Sequence, residues 1–137
     1  MRLKLSKKKQ IICIDFDNTI IPWGPIWSDS VPFSGVKDAI IELKNQDYYI
    51  YILTSRLSRI YCQQDYEEFD FKTALDFALQ QKAHIEQKLN QYGIPYDEIG
   101  AEKVPALAYF DDLAVRVTRE YPLPAAIYDF IEGNRGK

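Results

Sequence analysis

The segment Ile11-Ile-Cys-Ile-Asp-Phe-Asp-Asn-Thr-Ile20 places two carboxylates and a hydroxyl directly after four apolar residues. A short apolar run that stops at a polar turn reads as a buried strand. Open α/β sheets bind their ligands at the carboxyl ends of strands. Asp15, Asp17 and Thr19 would be offered together at such an end. Neighbouring carboxylates repel each other, and a divalent cation offsets the repulsion because hard cations take oxygen ligands. An isolated Asp-x-Asp is more often an Asx-type turn leaving a strand, so the rest of the chain decides.

Further polar groups stand at apolar runs downstream. Tyr49-Ile-Tyr-Ile-Leu53 stops at Thr54-Ser55-Arg56, and Leu107-Ala-Tyr-Phe110 stops at Asp111-Asp112. Between them lies Gly100-Ala-Glu-Lys103-Val-Pro105. In this order the segments resemble the motifs of the haloacid dehalogenase-like superfamily, mostly phosphohydrolases: Asp-x-Asp-x-Thr, a strand-ending Thr or Ser, a Lys, and an acidic pair. The resemblance runs from Ile11 to about Val115. Two positions depart from it. Val104 separates Lys103 from Pro105, where relatives often have Lys-Pro, and Leu113 stands where many small relatives carry Arg.

The resemblance implies an α/β fold, Rossmann-like and doubly wound, with a mostly parallel sheet. It also implies a Mg2+-dependent phosphomonoester hydrolase that works through an aspartyl-phosphate on Asp15. The metal set would be Asp15, Asp17 (through its backbone carbonyl), Asp112, and Asp111 directly, through water, or as the holder of Lys103. The catalytic set would be Asp15 as nucleophile, Asp17 as general acid and base, and Thr54 and Lys103 on the phosphoryl oxygens. Covalent catalysis divides a slow hydrolysis into two steps, and a cation offsets the charge of a carboxylate attacking a phosphate dianion.

The residues themselves leave choices open. Thr54 is preferred over Ser55 as phosphoryl ligand because it directly follows the apolar run. Arg56 either contacts a second substrate phosphate or pairs with an acid. Trp23 and Trp27 lie in a segment broken by prolines and a glycine, which is loop chemistry. They either cover the site, with Trp23 on the substrate, or bury beneath the loop. His84 reads as a helix-surface residue. A phosphotransferase of the same fold is an alternative, as is a non-catalytic phospho-binding module of this fold or of the receiver type. Receivers, however, carry the acidic pair first and the phosphoacceptor Asp later.

The elements that must position these groups follow from periodicity. Met1 to Gln10 is a polar lead-in to one domain spanning 1–137. Strands are expected at Ile11–Ile14, Tyr48–Leu53 and Leu107–Phe110, and a loop at Pro22–Pro32. Helices are expected at Gly35–Gln46 and Lys72–Tyr92. Leu57–Asp70 is mixed, Ile94–Gly100 is a short apolar or loop segment, Val115–Tyr121 is a helix or a strand-like extension, and Ala125–Ile131 is a strand or a short helix. Strands alternating with helices argue for βαβ units. The spacing from Thr19 to Thr54 and from Arg56 to Lys103 leaves no room for a full cap domain.

Composition limits the rest. The 137 residues are 47% hydrophobic and 27% charged, ordinary for a globular domain. A net charge of -3 disfavours nucleic acid, and Lys7–Lys9 reads as a solvated flank. No run approaches the roughly 20 apolar residues of a membrane span. Cys13 and Cys62 form no Cys-x-x-Cys motif, so a cytoplasmic setting is expected. The resemblance implies a phosphorylated substrate as the partner, and an oligomer is compatible with an open site.

Overall fold

The computed structural model describes residues 9–25, 28–63 and 71–134. Lys7, Lys8, Trp27 and the 64–70 part of the mixed segment lie outside them. The chain runs β1 (Ile11–Asp15), α1 (Val36–Asn45), β2 (Tyr49–Leu53), a short 3-10 turn (Ser55–Leu57), α2 (Arg59–Gln63), α3 (Phe71–Gln91), β3 (Glu98–Gly100), β4 (Ala108–Phe110) and α4 (Leu123–Gly133). The four strands form an all-parallel sheet in the order β3-β2-β1-β4. This is an α/β architecture, with helices packed against a parallel sheet.

Register explains the core. Ile12 lies opposite Ile50, and Ile14 opposite Ile52, so these side chains share one face. Ile40 of α1 and Ile85 and Leu89 of α3 join the same buried cluster, with Ile99 of β3. Ala74, Gln81, Ile85 and Leu89 are the buried positions of α3, one stripe at helical spacing. Gly93 ends that helix with a left-handed φ of 68°, and the Ile94 N–H returns to the Leu89 carbonyl. The opposite face carries a row across the sheet: Tyr51, Cys13 and Tyr109 in register.

Two expectations needed the structure to resolve them, and one is corrected. Glu98–Gly100 is a strand, and Leu123–Gly133 is a helix that covers Ala125–Ile131. Val115–Tyr121 is neither helix nor strand. Pro122 lies just beyond it, and Thr118 and Tyr121 close a turn through the Thr118 N–H to the Tyr121 carbonyl. Among the described residues no helix is long and apolar enough to cross a membrane.

Candidate active site

The strand order puts the acidic motifs side by side. From β1 the chain moves outward through β2 to β3, then returns to place β4 on the other flank of β1. The sheet therefore reverses direction between β1 and β4, the kind of crevice where α/β sheets bind ligands. Asp15 ends β1, and Asp111 and Asp112 directly follow β4. One carboxylate oxygen from each of the three lies within 4.8 Å of the others.

Local structure fixes these groups. The turn after β1 is pinned from below by Phe16, Ile20 and Ile21, all buried. The Phe16 carbonyl accepts the N–H groups of Thr19, Ile20 and Ile21, which draws the chain into a tight loop. Asn18 takes a left-handed φ of 59°, tolerable for Asn, and its Oδ1 accepts the Trp23 N–H at 2.8 Å. After β4, Asp111 Oδ1 accepts the Leu113 N–H at 2.8 Å, an Asx-type turn that holds the acidic pair at the strand end.

Among the described residues no cation pairs with these three acids. Burial pushes the Asp15 carboxyl up from 3.8 to about 7. A hydrogen bond with Asp112 and the charge of Asp111 add to the rise, while the Phe16 N–H opposes it. Three hard oxygen donors gathered this closely suit a divalent cation of the Mg2+ or Ca2+ type. Their mutual repulsion is the cost that such a cation would remove.

Asp17 has the opposite surroundings. Its Oδ2 accepts Arg56 Nε at 2.8 Å, and its Oδ1 accepts Arg56 Nη2 at 2.9 Å, a bidentate pair. The Arg56 side chain is only 3% exposed. It also donates to the Gly24 carbonyl and to Gln81 Oε1, and its guanidinium lies 5.7 Å from the Trp23 ring centroid. Of the two alternatives open for Arg56, the structure realises the pairing with an acid. Trp23 is 60% exposed and is not in the core.

A cleft of about 550 Å3 opens beside Asp15 and Asp111. Lys103 and Ser55 line it. Thr54 does not: it is buried, and its Oγ1 accepts the Arg56 N–H at 3.2 Å as the cap of the 3-10 turn. Thr19 carries a buried hydroxyl without a hydrogen-bond partner among the described side chains. His84 lies elsewhere, in a polar groove between α3 and Ser28–Asp29.

Two residues that sequence reasoning passed over hold Lys103 in place. The Tyr51 hydroxyl meets the Glu102 backbone N–H, and the Tyr109 hydroxyl donates to the Val104 carbonyl at 2.5 Å. Both tyrosines belong to the row that includes Cys13, so the segment around Lys103 is tied to that face on either side. Gly100 makes room for this, because a Cβ there would overlap the Tyr51 hydroxyl. Lys103 Nζ rests 5.1 Å from the Tyr109 ring centroid. The alternation Tyr49-Ile-Tyr51-Ile was the available signal, since it assigns the tyrosines and isoleucines to opposite faces.

Comparison of the chain with models of protein families, with characterised proteins and with solved structures returned no match.

Proposed function

We propose that the protein is a divalent-metal-dependent phosphomonoester hydrolase with a haloacid dehalogenase-like core and no full cap, using Asp15 as its nucleophile. The observation that carries the reading is the junction of Asp15 with Asp111 and Asp112 at the switch between β1 and β4, beside a cleft that also holds Lys103. Asp15, Asp111 and Asp112 would hold the cation, with Mg2+ the ion the motif resemblance implies. When bound, the cation supplies charge neutralisation between the carboxylates and a phosphate dianion.

The chain's own residues do the rest. An Asp15 oxygen would attack phosphorus, the bond from phosphorus to the alcohol oxygen would break, and the alcohol would leave with a proton given by Asp17. Water would then attack the aspartyl-phosphate and lose a proton to Asp17, releasing inorganic phosphate and restoring both carboxyl groups. Lys103 and Ser55 line the cleft and would bind the phosphoryl oxygens. Thr54 takes part only if its hydroxyl turns from the 3-10 cap. Arg56 takes one lone pair on each Asp17 oxygen, so a proton would be exchanged at the remaining ones while the guanidinium fixes the carboxylate's orientation.

The test is phosphate release from a broad panel of phosphomonoesters with Mg2+, repeated in excess chelator and with Asp15→Asn. Release that needs the metal and falls by at least about 10^4-fold in Asp15→Asn is the expected result. Turnover that persists in chelator, or near-normal turnover in Asp15→Asn, refutes the assignment.

A further inference from the structure

Beyond the acids, the cleft beside Asp15 is chemically one-sided. Among the described residues, its only cationic lining residue is Lys103 and its only hydroxyl side chains besides the tyrosine are Ser55 and Ser58. Leu53, Tyr109, Leu113 and Ala114 supply much of the remaining wall. Arg56, the nearby cation that a second phosphate or a carboxylate would want, is buried against Asp17, Gly24 and Gln81. The phosphoryl group itself would occupy Lys103 and Ser55. Among the described lining residues, Ser58 is then the main polar side chain left for the part of the substrate that departs.

From this lining we infer that the natural substrate is a phosphomonoester of an uncharged, apolar alcohol, its carbon skeleton lying against Tyr109 and Leu113. The inference rests on the hydrolase reading for the position of the phosphoryl group. Carbon surface laid against Leu113 and Tyr109 gains by leaving water, a gain the hydroxyls of a polyol do not make there. Leu113 is suited to the role because the Asx-type turn at Asp111 fixes its backbone beside the acidic pair, while its side chain is 84% exposed and makes no core contact to lose. Tyr109 is the second wall, its ring held by its own hydroxyl at Val104.

Benzyl phosphate and glycerol phosphate test this, because their alcohols differ greatly in polarity and little in leaving ability. Two readouts are taken with Mg2+: kcat/KM from phosphate release by the wild-type chain, and equilibrium binding by calorimetry to the full-length Asp15→Asn chain, in which turnover is removed. The expected result is a preference of about tenfold or more for benzyl phosphate in both, the scale at which apolar pockets discriminate. Leu113→Ser, at an exposed position, should bring that preference down towards one. Equal handling of the two esters, a preference for glycerol phosphate, or a preference unchanged in Leu113→Ser overturns the inference. Phosphate release without preference leaves the hydrolase reading standing and removes the apolar subsite. Preferential binding with no release from any ester does the reverse.

Discussion

Asp15 and Asp17 stand two positions apart and live in opposite electrostatic worlds. Asp15 faces two further carboxylates, and burial with those neighbours raises its carboxyl to about 7. Asp17 has both oxygens in the fork of a buried guanidinium. The difference arises from the tight turn after β1, which sends the first carboxylate toward β4 and the second toward the segment after β2. One carboxylate is left short of a positive partner and the other has one. A charge that a protein holds near its own kind is a place to look for a ligand, whereas a charge fully paired inside the protein mainly holds structure.

The comparison breaks most severely at Arg56. Arg56→Met should keep the volume and remove the fork, leaving Asp17 half enclosed without its partner and the Gly24 carbonyl and Gln81 without a donor. Removing one partner of a buried ion pair costs about 3–5 kcal/mol. Urea unfolding should show the loss, with Arg56→Lys in between because a lysine keeps charge but not the bidentate geometry. A loss below about 1 kcal/mol in Arg56→Met would show that the pair does not hold the loop to the 3-10 turn.

The sequence made one side of this comparison easier to read than the other. Apolar runs ending at Asp15 and at Asp111 mark strand ends, and parallel strands bring such ends to one edge, while the adjacency of β1 and β4 that joins the acids is seen only in the structure. The Asp17–Arg56 pair joins side chains 39 positions apart, and its existence depends on which way each leaves its turn. No spacing encodes that. The preference for Thr54 over Ser55 turned on a similar matter of side-chain direction. Adjacency to the strand pointed to Thr54, but Leu53 and Ser55 line the cleft while Thr54 turns inward, as the alternation of an extended chain carried one residue past β2 would have it. β3 was hard to see because only Ile99 of its three residues is buried. Ala125–Ile131 has an apolar content that suits helix or strand, and Pro124 at the start of α4 favours the helix.

The metal-poor side of the comparison sharpens with pH and Mg2+. In the metal-free protein the folded chain holds the Asp15 proton more tightly than the unfolded chain, whose carboxyl titrates near its ordinary 3.8. That contribution to stability is complete below 3.8 and is lost as pH rises through about 7. Asp15→Asn should therefore flatten the decline in stability between about pH 4 and 7. Mg2+ at about 100 times its Kd should add about 2.7 kcal/mol to the wild-type chain, seen as a rise in Tm, and Asp15→Asn should lose most of that rise. A Tm rise of equal size in both proteins would place the cation elsewhere.

The smallest effect is expected where the paired side meets solvent. Trp23 lies over Arg56, yet 60% of it is exposed, and its backbone N–H rather than its ring is what Asn18 holds. Trp23→Ala keeps that N–H and removes the ring. An exposed cation–π contact is worth about 0.5–1 kcal/mol, so Tm should hardly move. A buried aromatic would cost about 3–5 kcal/mol instead. If the loop is a flap over the site, the same variant should change KM or the preference among phosphomonoesters, since removing the ring frees the guanidinium face and loosens the turn that presents Asp17. A Tm loss of core size would contradict the exposed position, and an unchanged KM and preference would leave Trp23 as a cover for Arg56 alone.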